Sequence, residues 1–303
     1  MKINSKSFLI IGSALLMTAA SSCNNDDDGA QAPKTEMTVM SFNIRYNKSS
    51  DAYPWAVRRE PVAAMIADIN PDVIGLQEPD AGQFEDLKED CPAYDYVTIP
   101  TGDNITWAQT ASTMIAYKRD RFSVVKQGYF WQSATPDEPS LSWAGTDGKY
   151  HTTVWAQLRD NKSGKDFYVF TAQQSANNGA TDKEARLNAS KLNLKKMQEI
   201  AGRHNVVFFM GDMNASGASS DDRKECIDLY YEWMWGARDK APVTDTKFSF
   251  NSFGSRALTV KDNLDHIFYR LVTPLEFRTI DDATPYGIDY LSRHNPIVFT
   301  LEY

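Results

Sequence analysis

Residues Val206–Ser216 read VVFFMGDMNAS. The apolar run Val206–Met210 fits a buried strand, because a short apolar run bounded by turn signals has no better place than a sheet. Gly211 allows the chain to turn at the strand's carboxyl end. Asp212 and Asn214 then stand at i and i+2 on the following loop. A strand end is a rigid mount, and a carboxylate beside a carboxamide there can align a water and hold a transferred oxygen. The same pair also satisfies an Asx turn, in which both side chains cap their own backbone. This stretch alone supports both readings.

Working outward, Asp166–Phe170 reads as a strand leading into Thr171, Ala172, Gln173, Gln174 and Ser175. Leu187, Leu194, Met197 and Ala201 recur at helical spacing and predict an amphipathic helix from about Asp182 to Arg203, ended by Asn205. Strand, helix, strand in that order is a layered α/β unit. Met37–Ile44 predicts a first strand carrying Asn43 near its end, with Arg45 beyond it. Trp55 and Arg58 precede a helical pattern through Val62, Met65, Ile66 and Ile69, stopped at Asn70-Pro71. Asp72–Gln77 is the next strand. Glu78 at its end is either a metal ligand or a helix cap.

Ser112–Tyr117 and Phe122–Gly128 predict a hairpin joined by Lys118–Arg121. Phe130, Trp131, Trp143 and Trp155 cluster around loops rich in Pro, Ser and Gly, so they form a sugar- or base-stacking platform or pack in the core. Asn263–Tyr269, with Asp265 near its start, and Leu275–Ile280 read as strands. Ser292–Pro296 (SRHNP) precedes a last predicted strand, Ile297–Leu301. His294 there, with Asp265 on another strand, is a candidate base with its orienting carboxylate.

The ends and the composition set the address. Met1–Ser22 carries Lys2 and Lys6, the apolar run Phe8–Met17 and small residues before Cys23, which is a secretory leader too short to span a membrane. Ala20, Ser21 and Ser22 before Cys23 resemble a bacterial lipoprotein box, with Cys23 as the lipidated residue. Asn24–Glu36 is an acidic, polar tether. Asp26, Asp27 and Asp28 in it resemble the export signal of surface lipoproteins of the outer membrane. The expected organisation is leader 1–22, lipidated tether 23–36 and one folded domain 37–303. The net charge is −8. With no basic stripe along the chain, nucleic acid is a disfavoured partner. The membrane is met only through the lipid, and a monomer is expected. Cys91 and Cys226 either pair or sit apart as small core residues.

Five motifs in order, SFNIR (Ser41–Arg45), DVIGLQE (Asp72–Glu78), GDMN (Gly211–Asn214), LDHIF (Leu264–Phe268) and SRHNP (Ser292–Pro296), resemble the endonuclease/exonuclease/phosphatase superfamily. The hairpin STMIAYKRDRF and the segment Phe130–Pro136 add to the likeness, which covers nearly all of the chain after the tether. The resemblance implies an α/β four-layer sandwich, with two mixed β-sheets packed face to face, helices outside, and a cleft at the sheets' upper edge. It implies hydrolysis of a phosphoester assisted by Mg²⁺ or Mn²⁺. Glu78 resembles the principal metal carboxylate, with Asn43 beside it. Asp212 and Asn214 resemble the pair that aligns the attacking water and holds the phosphate, and His294 with Asp265 resembles the family's His–Asp couple. A hard cation takes oxygen ligands, and a phosphoester needs its charge neutralised and its nucleophile aligned.

Departures from the family pattern fall at the same places. Gln173 stands where the family has a histidine that donates to the phosphate, and an amide carries no charge. Arg293 replaces an aspartate close to the metal. His151 stands where relatives tend to have arginine. With Trp143, these are the expected substrate-binding residues. Two functions follow. The first is a divergent metal-dependent phosphoester hydrolase acting outside the cytoplasm on a small phosphorylated substrate, its metal binding weak or lost. The second is a catalytically degenerate protein that binds a glycan or phosphorylated ligand at the cell surface.

Overall fold

The computed structural model describes residues 34–99, 110–141, 143 and 148–303. The predicted leader, Cys23 and the tether as far as Pro33 lie outside the described residues. The compact unit runs from Lys34 to Tyr303. Its strands are β1 (Glu36–Asn43), β2 (Val73–Gln77), β3 (Tyr94–Thr98), β4 (Thr110–Ala111), β5 (Thr113–Lys118), β6 (Phe122–Trp131), β7 (Tyr150–Asp160), β8 (Asp166–Gln173), β9 (Val206–Asp212), β10 (Trp235–Gly236), β11 (Asp265–Arg270), β12 (Thr273–Thr279) and β13 (Ile297–Glu302). The long helices are α1 (Trp55–Ile69), α2 (Ala81–Asp90) and α3 (Ala180–Ala201).

One sheet has the order β12-β13-β1-β2-β5-β3, with β1 and β2 parallel and the other neighbours antiparallel. The other has the order β10-β11-β9-β8-β7, with β4 and β6 both on the far edge of β7. Here β8 and β9 run parallel, as do β4 and β7. Both sheets are mixed, as expected.

Three apolar clusters separate the layers. Val39, Val73, Ile115, Val169, Phe208, Met210 and Phe299 meet between the sheets. Met40, Ile74, Leu76 and Met114 pack under Val62, Met65 and Leu87 of α1 and α2. Phe170, Phe209 and Phe268 pack under Leu194 and Met197 of α3. Successive residues thus go to opposite faces (Phe208 inward, Phe209 outward), and because both faces are covered the strand reads as an unbroken apolar run. Helix, sheet, sheet, helix is the expected four-layer sandwich. The contact between the sheets is tight near the cleft: a Cβ on Gly75 would lie 2.6 Å from Met210 Cγ and 2.7 Å from Thr171 Oγ1.

Several details differ from the sequence reading. Glu36 already pairs with Glu302, so the tether ends earlier than Glu36. Trp55 and Arg58 lie within the first turns of α1 rather than before it. Helix α3 is shifted towards its start, because Gly179 with Asp182 forms its cap and Gly202, at φ 69°, ends it. β6 runs on to Trp131, since its partner β7 is long enough to pair with all of it. Cys91 and Cys226 are free thiols buried on opposite outer layers. Trp131 is buried, and Trp155 stacks on Phe170 with its indole over Gly128. These two tryptophans pack in the fold and form no stacking platform.

Candidate active site

Register assembles the site. In the second sheet Gln173 at the end of β8 pairs with Asp212 at the end of β9, and Asp212 pairs with Asp265 at the start of β11. Paired residues point to one face, so an amide and two carboxylates stand in a row at the sheet's edge. In the first sheet Asn43 pairs with Gln77, which delivers Asn43 and Glu78 to the same edge from the other side. Face-to-face packing closes the two edges on one another. Asn43 Nδ2 donates to Asp212 Oδ2 at 3.0 Å and to Glu78 Oε1 at 3.1 Å.

Gln173 Nε2 makes the second bridge, donating to Glu78 Oε1 at 2.7 Å and to Asp212 Oδ2 at 3.3 Å. Asp212 settles its two readings with one oxygen each. Oδ1 accepts from Asn214 N at 3.0 Å, the Asx turn, while Oδ2 faces the site. Asn214 gives its amide hydrogens to Gln174 O at 2.8 Å and Asp212 Oδ2 at 3.2 Å. Its geometry therefore orients Asp212. Glu78 does not cap a helix: Asp80 caps α2, in a box with Gln83, which leaves Glu78 free to face the cleft.

His294 precedes β13 and its Nδ1 lies 2.9 Å from Asp265 Oδ2, with Nε2 at 3.9 Å from Asp212 Oδ2. Burial alone would lower this imidazole, but Asp265, Asp212 and Glu78 outweigh it and hold it at about 9. Burial pushes the Asp212 carboxyl up to about 6 against the His294 charge, with Asp265 and Glu78 adding to the rise. Burial likewise opposes ionisation of Glu78, yet His294, Asn43, Arg45 and Gln173 together keep it below the usual carboxylate range. Near neutral pH the site holds an imidazolium and a carboxylate whose pKa suits proton transfer.

The loops pay for this in backbone conformation. Arg45, Glu78 and Asn214, each just past a strand end, have φ of 61°, 66° and 47°. A left-handed backbone at non-glycine residues persists only where the surroundings hold it, and it collects at functional sites. Arg58, fully buried in α1, supplies part of that hold by donating to the carbonyls of Ile44 (2.6 Å), Arg45 (3.0 Å) and Leu291 (3.0 Å).

A divalent cation fits these residues. Glu78 Oε2 and Gln173 Oε1 are buried without a hydrogen-bond partner, as is Asp265 Oδ1, and the nearest cation to Glu78 Oε2 is Arg45 Nη1 at 3.7 Å. These three atoms are carboxylate and carboxamide oxygens, which a hard cation prefers. Asp212, Asp265 and His294 also offer ligand atoms within 4.8 Å of one another. The 2.9 Å His294–Asp265 contact favours a couple over a ligand set.

The cleft above the site encloses about 530 Å³, and Arg45, Arg223, Arg256, Lys261 and Arg293 all line it. These cations come from separate segments, so no basic stripe exists along the chain to reveal them. Arg223, Arg256 and Phe250 had drawn no functional reading from the sequence. Of the residues expected to bind substrate, Arg293 lines the cleft. Gln173 lies beneath it, hydrogen-bonded to the two carboxylates. His151 is buried behind Gln173, its Nδ1 2.9 Å from the Gln173 carbonyl, where it steadies the end of β8. Trp143 is half-buried and does not line the cleft.

A sequence model of the endonuclease/exonuclease/phosphatase family matches residues 40–294. A solved endonuclease/exonuclease/phosphatase family protein from Bacteroides thetaiotaomicron superposes with a TM-score of 0.77 at 25% identity, covering 89% of this chain and 99% of that one. A mannosyl-6-phosphatase from the same organism superposes with a TM-score of 0.74 at 23% identity, covering 88% of this chain and 100% of that one. An uncharacterized protein of Acanthamoeba polyphaga mimivirus is 28% identical over 142 residues, 44% of this chain; the match spans 52% of that relative's length.

Proposed function

The chain belongs to the endonuclease/exonuclease/phosphatase family, and on that premise we propose that it hydrolyses a small phosphoester outside the cytoplasm with the help of Mg²⁺ or Mn²⁺. The observation that carries the reading is the convergence of Asp212 with the His294–Asp265 couple, 3.9 Å from His294 Nε2 and hydrogen-bonded through Asn43 to the site of Glu78. Asp212, with its pKa near 6, accepts a proton from the attacking water. The His294 imidazolium donates to a phosphoryl oxygen as charge builds there, and Asp265 fixes its orientation. Asn214 and Asn43 hold Asp212 in place. Glu78 would hold the cation, which when bound would neutralise phosphoryl charge; Asn43, expected beside it as a ligand, turns its Nδ2 to Glu78 and Asp212 while its Oδ1 accepts from Arg45 N, so it orients the carboxylates.

Sugar phosphates are the first natural class to test, since one protein with this fold is a mannosyl-6-phosphatase. The acidic charge still argues against nucleic acid. We take the protein to be a monomer, tethered to the outer membrane through Cys23. The test is turnover of p-nitrophenyl phosphate and bis-p-nitrophenyl phosphate with Mg²⁺ or with EDTA. Asp212→Asn and His294→Gln should each lose on the order of 100-fold or more in kcat, the scale of a lost base or charged donor. Activity that survives both substitutions, or that ignores EDTA, sinks the proposal.

One observation favours binding without hydrolysis. The Gln173 amide occupies Glu78 Oε1 and Asp212 Oδ2, the oxygens a cation and a water would use. Mg²⁺ affinity measured by calorimetry should accordingly be weak, about millimolar. A wild type that binds phosphate but turns over neither ester would establish this second reading.

A further inference from the structure

We propose, resting on the phosphoester reading, that Arg293 forms a subsite for a second negative charge, so that the cleft prefers a phosphomonoester dianion to a phosphodiester. The cleft's other arginines are already committed. Arg45 pairs with Asp51 at 2.8 Å, Arg223 with Asp221 at 2.8 Å, and Arg256 with Asp262. Among the described residues, Lys261 and Arg293 line the cleft without an ion pair; Lys261 is exposed, and Arg293 feels Asp51, already held by Arg45, only as a longer-range charge. Arg293 is half-buried, and its guanidinium carbon lies 5.3 Å from the centre of the Phe250 ring. The His294 ring meets the same ring edge-on at 4.9 Å. One aromatic side chain therefore supports both the imidazole and the uncommitted guanidinium.

The backbone holds Arg293 firmly. Asn251 N and Ser252 N donate to the Arg293 carbonyl at 2.8 and 3.1 Å. They do so from a turn in which Ser252 and Phe253 both adopt left-handed φ, 54° and 53°. Two adjacent non-glycine residues in that region are unfavourable, and Phe at one of them more so. The turn is held by Asn251 Oδ1, which accepts from Phe253 N at 2.8 Å, and by Phe253 packing against Tyr53 and Tyr290. Strain of this kind marks a position that the surrounding structure over-determines.

A diester carries one negative charge near neutral pH, and a monoester carries nearly two. The cleft floor carries the carboxylates of Glu78, Asp212 and Asp265, and Arg45, Arg223 and Arg256 each face a carboxylate of their own. The extra charge of a monoester needs an uncommitted donor, and a planar guanidinium matches its oxygens two at a time. A half-buried position strengthens that interaction over one in bulk water.

The test compares wild type, Arg293→Gln and Arg293→Lys. The ratio of kcat/KM for p-nitrophenyl phosphate to that for bis-p-nitrophenyl phosphate should fall on the order of 10- to 100-fold in Arg293→Gln, the span of one charged hydrogen bond. Arg293→Lys, which keeps the charge and loses the fork, should recover part of the ratio. Calorimetry on the same proteins reads binding without turnover. Inorganic phosphate should bind at least about tenfold more weakly to Arg293→Gln, and dimethyl phosphate should change less. A wild type that hydrolyses neither ester but binds phosphate through Arg293 would overturn the hydrolase reading and uphold the subsite. An unchanged ratio, or unchanged phosphate binding in Arg293→Gln, or no phosphate binding by wild type, overturns the subsite.

Discussion

His294 is the residue whose chemistry is most altered by its neighbours. Its pKa of about 9 lies above the ordinary imidazole value, so the folded state binds its proton more tightly than the unfolded chain does. The resulting stabilisation is full below about pH 6.5 and is lost as pH rises through about 9. In metal-free protein the unfolding free energy should therefore fall across that window, by on the order of 3 kcal/mol at most, with the denaturation midpoint falling in step. In His294→Gln the fall should be absent; an equal fall in both proteins would assign it to other groups. Gln173 offers a second check. A histidine there regains a charged donor next to Glu78 and Asp212. Gln173→His should raise kcat on bis-p-nitrophenyl phosphate by about tenfold or more, since charged hydrogen bonds are about twice as strong as neutral ones. No gain in a folded variant would mean that the amide is not what limits turnover. Asp212, Asn214, Glu78, Asn43, Asp265 and His294 were legible in the sequence, because each lies in a motif at a strand end. The left-handed backbones of Arg45 and Glu78 were not, because glycine and asparagine announce such a conformation in a sequence and arginine and glutamate do not.

At the scale of elements, the strands were legible because two-sided burial writes long apolar runs, and α1 because Asn70-Pro71 stops it. Their pairing was not. Nothing in Gln173, Asp212 or Asp265 says that they share a row; that follows from a register set by the whole sheet. Gly211 shows what the register demands. With φ 152° it lies where β9 passes β8, and a Cβ there would stand 1.9 Å from the Ala172 carbonyl oxygen. Gly211→Ala must part the two strands next to Asp212. We expect a loss of roughly 3 kcal/mol or more, the scale of severe overpacking with backbone strain. Urea denaturation measures it, and a loss below about 1 kcal/mol would mean that the strand ends yield easily.

At the scale of the molecule, the four layers followed from the resemblance, whereas the cationic cleft needed the fold to gather it from four separate segments. The address is a proposal at the same scale. Cys23→Ser should release the protein from the membrane fraction, and protease added to intact cells should remove the wild type. Equal detergent-phase partitioning of mutant and wild type would end the lipoprotein reading. The placing of β13 has a consequence for the order in which the molecule is made. β13 sits between β12 and β1, towards one side of the first sheet, and pairs with the first strand along residues 36–41. A ribosome therefore delivers β1 long before its neighbour exists, and the inter-sheet core keeps a gap where Ile297, Phe299 and Leu301 belong. The histidine arrives only three residues ahead of that closing strand. Completion of the sheet and arrival of His294 beside Asp265 thus become a single late event.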